Sequence, residues 1–269
     1  RPWGGDVTEE SDVVKTGRDG PVFRITINRP DRRNALNDHV TGGIAAALKA
    51  AQADDEVRAI VLTGAGDKVF CAGGDLSPQP DGSPFKTDPA RPQLKLTEMF
   101  EAFEACTLPI IARVNGHALG GGFGLVCVCD LAVGVKGARL GTPEVGVGLF
   151  PMTILPYMLR VLPRRKALEL CMRGVPWSAE KAYEEGLLNA VADPGDLDAV
   201  LDAFLSDITS RSPTAIRLGK LAYHAIQDMP IREAQQYTQL MLPIMAGTED
   251  GKEGFAAFQQ KREPDWPNK

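Results

Sequence analysis

Residues 110–152, IIARVNGHALGGGFGLVCVCDLAVGVKGARLGTPEVGVGLFPM, constrain the fold of this chain more than any other stretch. An apolar run rich in β-branched residues, 110–114, stops at Asn115-Gly116. Gly120-Gly121-Gly122 follow within a few residues, and the sequence then stays small and apolar through Cys129. That order reads as strand, turn and buried helix. Glycines at a helix start leave backbone N–H groups unshielded, and the positive end of the helix dipole adds to them, so the turn suits an anionic oxygen. The same glycines would also serve close helix packing, and these residues alone leave both roles open.

The rest of the composition limits what such a turn can serve. With 269 residues, 43% of them hydrophobic, the chain has enough apolar surface for one large core. A net charge of −5 and the lack of a basic stripe argue against nucleic acid as a partner. Arg29, Arg32 and Arg33 form a local basic cluster that suits either a small phosphorylated ligand or a solvated face. The five cysteines show no CxxC spacing and no histidine at ligand spacing, which predicts small core residues, a reduced cytoplasmic setting and no metal. No apolar run has the length of a membrane span, so no membrane association is expected.

In chain order, 1–12 read as a loose polar arm. The period-two alternation at 22–28 predicts a half-buried strand that ends at Arg29-Pro30. An alanine-rich helix is predicted at 38–53, and a strand buried on both faces at 58–63. The latter leads to Phe70-Cys71-Ala72-Gly73-Gly74-Asp75, where tandem glycines allow a bend that turns an N–H inward. Residues 77–92, rich in proline, read as a loop or lid, and 94–105 as a helix. Further helices are predicted at 163–172 and 178–185, with a weak strand echo at 187–192. From Gly195 onward strand signals nearly vanish, and helices are predicted at 197–211, 213–227, 231–245 and 249–261. The division is therefore an α/β core at 1–195 and a helical C-terminal region at 196–269.

Three segments together carry a family resemblance: Phe70-Cys71-Ala72-Gly73-Gly74-Asp75-Leu76, Asn115-Gly116-His117-Ala118-Leu119-Gly120-Gly121-Gly122, and Thr142-Pro143-Glu144 with Gly148-Leu149-Phe150-Pro151. In order and spacing they resemble the signatures of the crotonase (enoyl-CoA hydratase/isomerase) family, and the resemblance runs from Val22 to the Lys261-Arg262 tail. It implies a spiral of repeated β-β-α units with a helical C-terminal part that builds a homotrimer or a dimer of trimers. It implies an acyl-CoA thioester as substrate, with coenzyme A entering as part of that substrate and no resident cofactor. By the same resemblance, the N–H groups of Ala72 and Gly121 form the oxyanion hole and Glu144 is the acid/base. Arg33, Ala35 and Leu36 lie along the CoA moiety, and Gly73, Asp75, Gly120, Gly124, Pro143, Phe255 and Lys261 are the remaining substrate contacts. Asp75 is better suited to bracing its loop than to reacting.

One position departs from the family pattern. Hydratases of this family place a second glutamate where this chain has Gly124, so that two carboxylates hold one water. Asp130 lies six residues on, about 9 Å along a helix, too far to substitute. His117 belongs to the turn before the helix and reads as structural. Moving a double bond needs only one base that removes a proton and returns it elsewhere, so a single glutamate resembles the Δ3,Δ2-enoyl-CoA isomerases more than the hydratases. A dienoyl isomerase would add an aspartate at the position of Met152. A non-catalytic acyl-CoA binder is the competing expectation. A dinucleotide-binding turn is excluded because the third glycine of its fingerprint falls on Leu125.

Overall fold

A computed structural model describes residues 13–77, 89–90 and 93–269. The arm expected at 1–12 and most of the proline-rich loop expected at 77–92 lie outside these residues. The core opens with β1 (Val14–Asp19), β2 (Val22–Ile27), α1 (Asp38–Gln52), β3 (Ala59–Gly64), β4 (Val69–Cys71) and α2 (Lys95–Glu104). It continues with β5 (Ile110–Val114), β6 (His117–Leu119), α3 (Gly121–Val128), β7 (Leu131–Val135) and β8 (Arg139–Gly141), then α4 (Leu155–Val161) and α5 (Arg164–Arg173). After β9 (Trp177–Ser178), α6 (Ala179–Glu184) and β10 (Ala190–Ala192) come four helices: α7 (Leu197–Thr209), α8 (Pro213–Ile226), α9 (Ile231–Gly247) and α10 (Glu249–Gln260).

The strands form two sheets. The larger runs β1-β2-β3-β5-β7-β10, antiparallel at β1/β2 and parallel elsewhere. The smaller runs β4-β6-β8-β9 and is parallel except at β8/β9. Three successive passes, β3-β4-α2, β5-β6-α3 and β7-β8-α4, therefore each give one strand to the large sheet, one short strand to the small sheet, and then a helix. This is the expected β-β-α spiral. The long strands were readable because their apolar runs are continuous: Ile60, Val61 and Leu62 in β3 and Ile110, Ile111 and Ala112 in β5 are buried completely. The three-residue strands β4, β6 and β8 are too short to show a period, and residues 117–119 read as turn from sequence.

Helix α3 sits at the centre of this arrangement. Phe123 and Leu125 are fully buried, and Val126 and Cys127 nearly so, and the first turn faces the end of β4. Two buried asparagines fix the loops around it. The Asn34 side chain accepts from the Arg29 N–H and donates to the carbonyls of Ala65 and Val69. That of Asn115 accepts from the Gly64 N–H and donates to the carbonyls of Gly64 and Gly66. Such fully satisfied buried amides hold loops that have no ladder of their own.

Candidate active site

The site forms where the end of β4 meets the start of α3, and glycine is required on both sides of that contact. Gly73 (φ +98°) and Gly120 (φ +53°) occupy the left-handed region. A Cβ on Gly73 would lie 2.9 Å from the Leu119 carbonyl oxygen, and one on Gly122 would overlap the Cys71 carbonyl. The segment before α1 closes the third side. The Leu36 N–H donates to the Gly73 carbonyl (2.8 Å) and the Asp75 N–H to the Leu36 carbonyl (2.7 Å), which lays Leu36 beside the bend. A Cβ on Gly121 would lie 3.1 Å from Leu36 Cδ1 and 3.6 Å from the Gly74 nitrogen, so the two glycine turns meet across a narrow gap.

Two backbone donors are free there. The Gly121 N–H stands at the first position of α3, where no intrahelical partner exists, and the Gly74 N–H lies between the two bonds that join Leu36 to the bend. Neither has a partner among the described residues. The expectation that Ala72 supplies the second donor is corrected: its N–H donates to the Arg33 carbonyl at 3.1 Å and is therefore occupied. Tandem glycines signalled the bend, but which of three successive N–H groups turns inward depends on the pairing with Leu36, which sequence does not show.

Glu144 opens a 3-10 turn (Glu144–Val147) directly after Pro143, which is exposed. Its Oε1 would lie 3.0 Å from a Cβ on Gly120, so the carboxyl lies beside the glycine turn. Its Oε2 is buried and has no hydrogen-bond partner among the described residues. Burial among apolar neighbours raises its pKa above the ordinary 4.5. The flank at Gly124 is different. A Cβ there would overlap the Ile154 Cγ2 methyl and would lie 2.9 Å from Ile154 Cβ and 3.2 Å from Phe100 Cζ. The second carboxylate is thus missing, and its space is filled by two apolar side chains.

The other expected contacts sort by position. Arg29 reaches across to donate to the Ala35 carbonyl (2.7 Å) and to Asp75 Oδ2 (3.0 Å), while Asp75 Oδ1 accepts from Ser77. Asp75 braces the loop, and the Ser77 and Arg29 bonds hold its pKa below 3.8. Ala35 and Leu36 are buried at the gap, and Arg33 is exposed beside them at φ +52°. Phe255 and Lys261 lie in and just after α10, which packs on α8 and α9, and both are exposed. One chain alone does not bring them to α3. His117 accepts the Arg139 N–H at 3.0 Å, a structural use, and Asp130 binds the Ile110 N–H and Lys220 at the far end of α3. Reading the sequence missed Gly74, Ile154, Asn34 and Asn115. Gly74 carried a signal as one of the tandem glycines, and Asn115 as part of the Asn-Gly pair at a strand end.

Residues 17–269 match the family model described as enoyl-CoA hydratase/isomerase. The chain belongs to the enoyl-CoA hydratase/isomerase family. It is 33% identical over 254 residues to (E)-benzylidenesuccinyl-CoA hydratase of Thauera aromatica, covering 90% of this chain and 94% of that protein. Among solved structures it resembles enoyl-CoA hydratase subunit I of Geobacillus kaustophilus (TM-score 0.87, 34% identity, 96% of this chain and 98% of the other). It also resembles the enoyl-CoA hydratase of Mycobacterium smegmatis (TM-score 0.86, 31% identity, 94% and 98%). No helix among the described residues is long and apolar enough to cross a membrane.

Proposed function

We propose that this enzyme moves a double bond along an acyl-CoA thioester, with Glu144 as its single acid/base and the N–H groups of Gly74 and Gly121 holding the thioester oxygen. In this reading the Glu144 carboxylate takes a proton from C2 of a 3-enoyl thioester. The electron pair passes into the carbonyl, and the resulting dienolate oxygen accepts from the two N–H groups. The Glu144 carboxyl then returns the proton to C4, leaving the 2-enoyl ester. Donors fixed in advance at a developing oxyanion are worth several kcal/mol each, typically about 3. A carboxyl with a raised pKa is better matched to a weak carbon acid than an ordinary one.

The observation that carries this reading is the contact at Gly124. Hydration needs a water held by two polar groups beside the reacting carbon, and Ile154 and Phe100 put hydrocarbon in that place. The names of the relatives favour hydration instead, and the same acyl-CoA would be bound in either case. The loop with Arg33, Ala35 and Leu36 is read as the CoA contact, where the exposed Arg33 guanidinium is available to a phosphate.

The C-terminal helices support a homotrimer or a dimer of trimers. Phe258 (84% exposed) and Leu242 (69% exposed) are large apolar side chains with no cover in one chain. In such an assembly Phe255 and Lys261 would meet a neighbouring copy's substrate. Glu144→Gln tests the chemistry: turnover should fall by about a thousandfold or more while acyl-CoA affinity stays within a few fold. A Glu144→Gln enzyme that still turns over at the wild-type rate would end the assignment.

A further inference from the structure

Gly121 and Gly124 stand one turn apart on the same face of α3, and Val128 continues that face. An acyl chain leaving a carbonyl held at Gly121 and running down this face is stopped at Gly124, where Ile154 and the Phe100 ring edge fill the space a side chain would take. Both are buried, with Ile154 at 2% and Phe100 at 0% exposure. Phe100 in turn stacks on Tyr157, with ring centroids 4.6 Å apart and planes inclined by 29°. Burial, with the Glu104 carboxylate nearby, pushes the Tyr157 pKa up to about 12. Beyond the stack lies a cavity of about 440 Å³, lined by Tyr157, Phe103, Cys127 and Val128 and, from α8, by Gly219 and His224. That volume is within the range of small-molecule sites.

We propose that Ile154, backed by the Phe100–Tyr157 stack, is the residue that ends the acyl site and restricts this enzyme to short acyl groups, although unfilled space lies on the Tyr157 side of that stack. The proposal rests on the reading of the glycine turns as an acyl-CoA site and goes beyond it by naming the residue that sets chain length. Ile154 is on the wall where a hydratase would keep its second carboxylate. One side chain therefore removes water chemistry and limits the substrate at once.

The test is calorimetric titration of the full-length protein with saturated esters that have no double bond to move, from butanoyl-CoA through hexanoyl- and octanoyl- to dodecanoyl-CoA. Each newly buried methylene should raise affinity about fourfold. Wild-type affinity should therefore climb only through the shortest esters and then stop. Ile154→Ala should leave butanoyl-CoA within about threefold and tighten dodecanoyl-CoA by about tenfold or more. Ile154→Val, a smaller change in case Ile154→Ala does not fold, should show the same trend with its gain at octanoyl-CoA. Gly219→Leu fills the cavity from α8, where an added Cβ meets nothing within 4 Å. Combined with Ile154→Ala, it should cancel the gain for the long ester while the short ester is unaffected. Wild-type affinity that climbs steadily to dodecanoyl-CoA, or an Ile154→Ala profile parallel to wild type, would overturn the role of Ile154 and leave the acyl-CoA reading intact. Failure of wild type to bind any ester would overturn that reading and this proposal together.

Discussion

Gly120 and Gly124, four residues apart at the start of α3, each leave out a side chain, and different groups lie beside the two gaps. Beside Gly120 lies the Glu144 carboxyl, with one oxygen 3.0 Å from the missing Cβ. At Gly124 the space is taken by the Ile154 methyl and the Phe100 ring. The same omission on one helix thus leaves room for a buried carboxyl on one side and for a hydrocarbon wall on the other. Neither flank can be understood from its glycine alone, because what matters is the side chains delivered from α2, from the turn after Pro143 and from the start of α4.

Changing the donors between the two flanks should give the largest effect. Proline is tolerated at the first position of a helix, so Gly121→Pro should fold while deleting one donor N–H. The expected loss in kcat is about 100- to 1000-fold, measured against Gly121→Ala, which keeps the N–H. If Gly121→Pro and Gly121→Ala are equally active, Gly121 does not hold the oxygen.

Making the Gly124 flank resemble the Gly120 flank is the next step. Gly124→Glu supplies the carboxylate that hydratases carry, but its Cβ collides with Ile154, so overpacking should cost about 1–3 kcal/mol of unfolding free energy. No hydratase activity should appear, as read by denaturant unfolding and by mass of the product. A stable, water-adding Gly124→Glu enzyme would show that Ile154 yields easily.

The Glu144 flank can be sharpened by pH. Its pKa is raised in the fold above 4.5, so the folded state binds this proton more tightly than the unfolded chain. The stability this provides is complete below pH 4.5 and is lost as pH rises through the folded pKa. Near pH 7 the buried carboxylate is therefore a cost, and Glu144→Gln should melt a few degrees higher than wild type there, with the difference closing in acid. In wild type, kcat/KM should fall as pH drops through the same raised pKa, because the base must be ionised. A melting temperature lowered by Glu144→Gln at neutral pH would contradict the burial argument.

The smallest effect belongs to the brace outside both flanks. Asp75 is held below 3.8 by Ser77 and Arg29, so its contribution is present above pH 3.8 and is lost as pH falls through the folded pKa. Asp75→Asn should cost about 1 kcal/mol at pH 7, with little change in kcat, as read by denaturant melts at two pH values.

The contrast between the flanks also explains what was legible in the sequence. Long strands such as β3 and β5 declared themselves by continuous apolar runs and α3 by its small apolar residues after three glycines, whereas Glu144 was singled out only by the family resemblance. The small sheet stayed hidden because three-residue strands carry no period. The inward N–H was misplaced on Ala72 because the pairing of Leu36 with Gly73 and Asp75 is a contact between segments far apart in the chain. Gly124 was visible as a missing carboxylate, but Ile154, thirty residues later, gives no local sign that it fills the gap.

The most direct measurement is incubation of the wild-type enzyme with 3-enoyl-CoA and 2-enoyl-CoA esters in deuterated water, following ultraviolet absorbance and product mass. With Glu144 as the single acid/base, the double bond should move between the 3 and 2 positions and deuterium should enter the acyl chain, with no water added to the 2-enoyl ester. A product heavier by one water from the 2-enoyl ester would contradict this, and would mean that a water is held beside Ile154 after all.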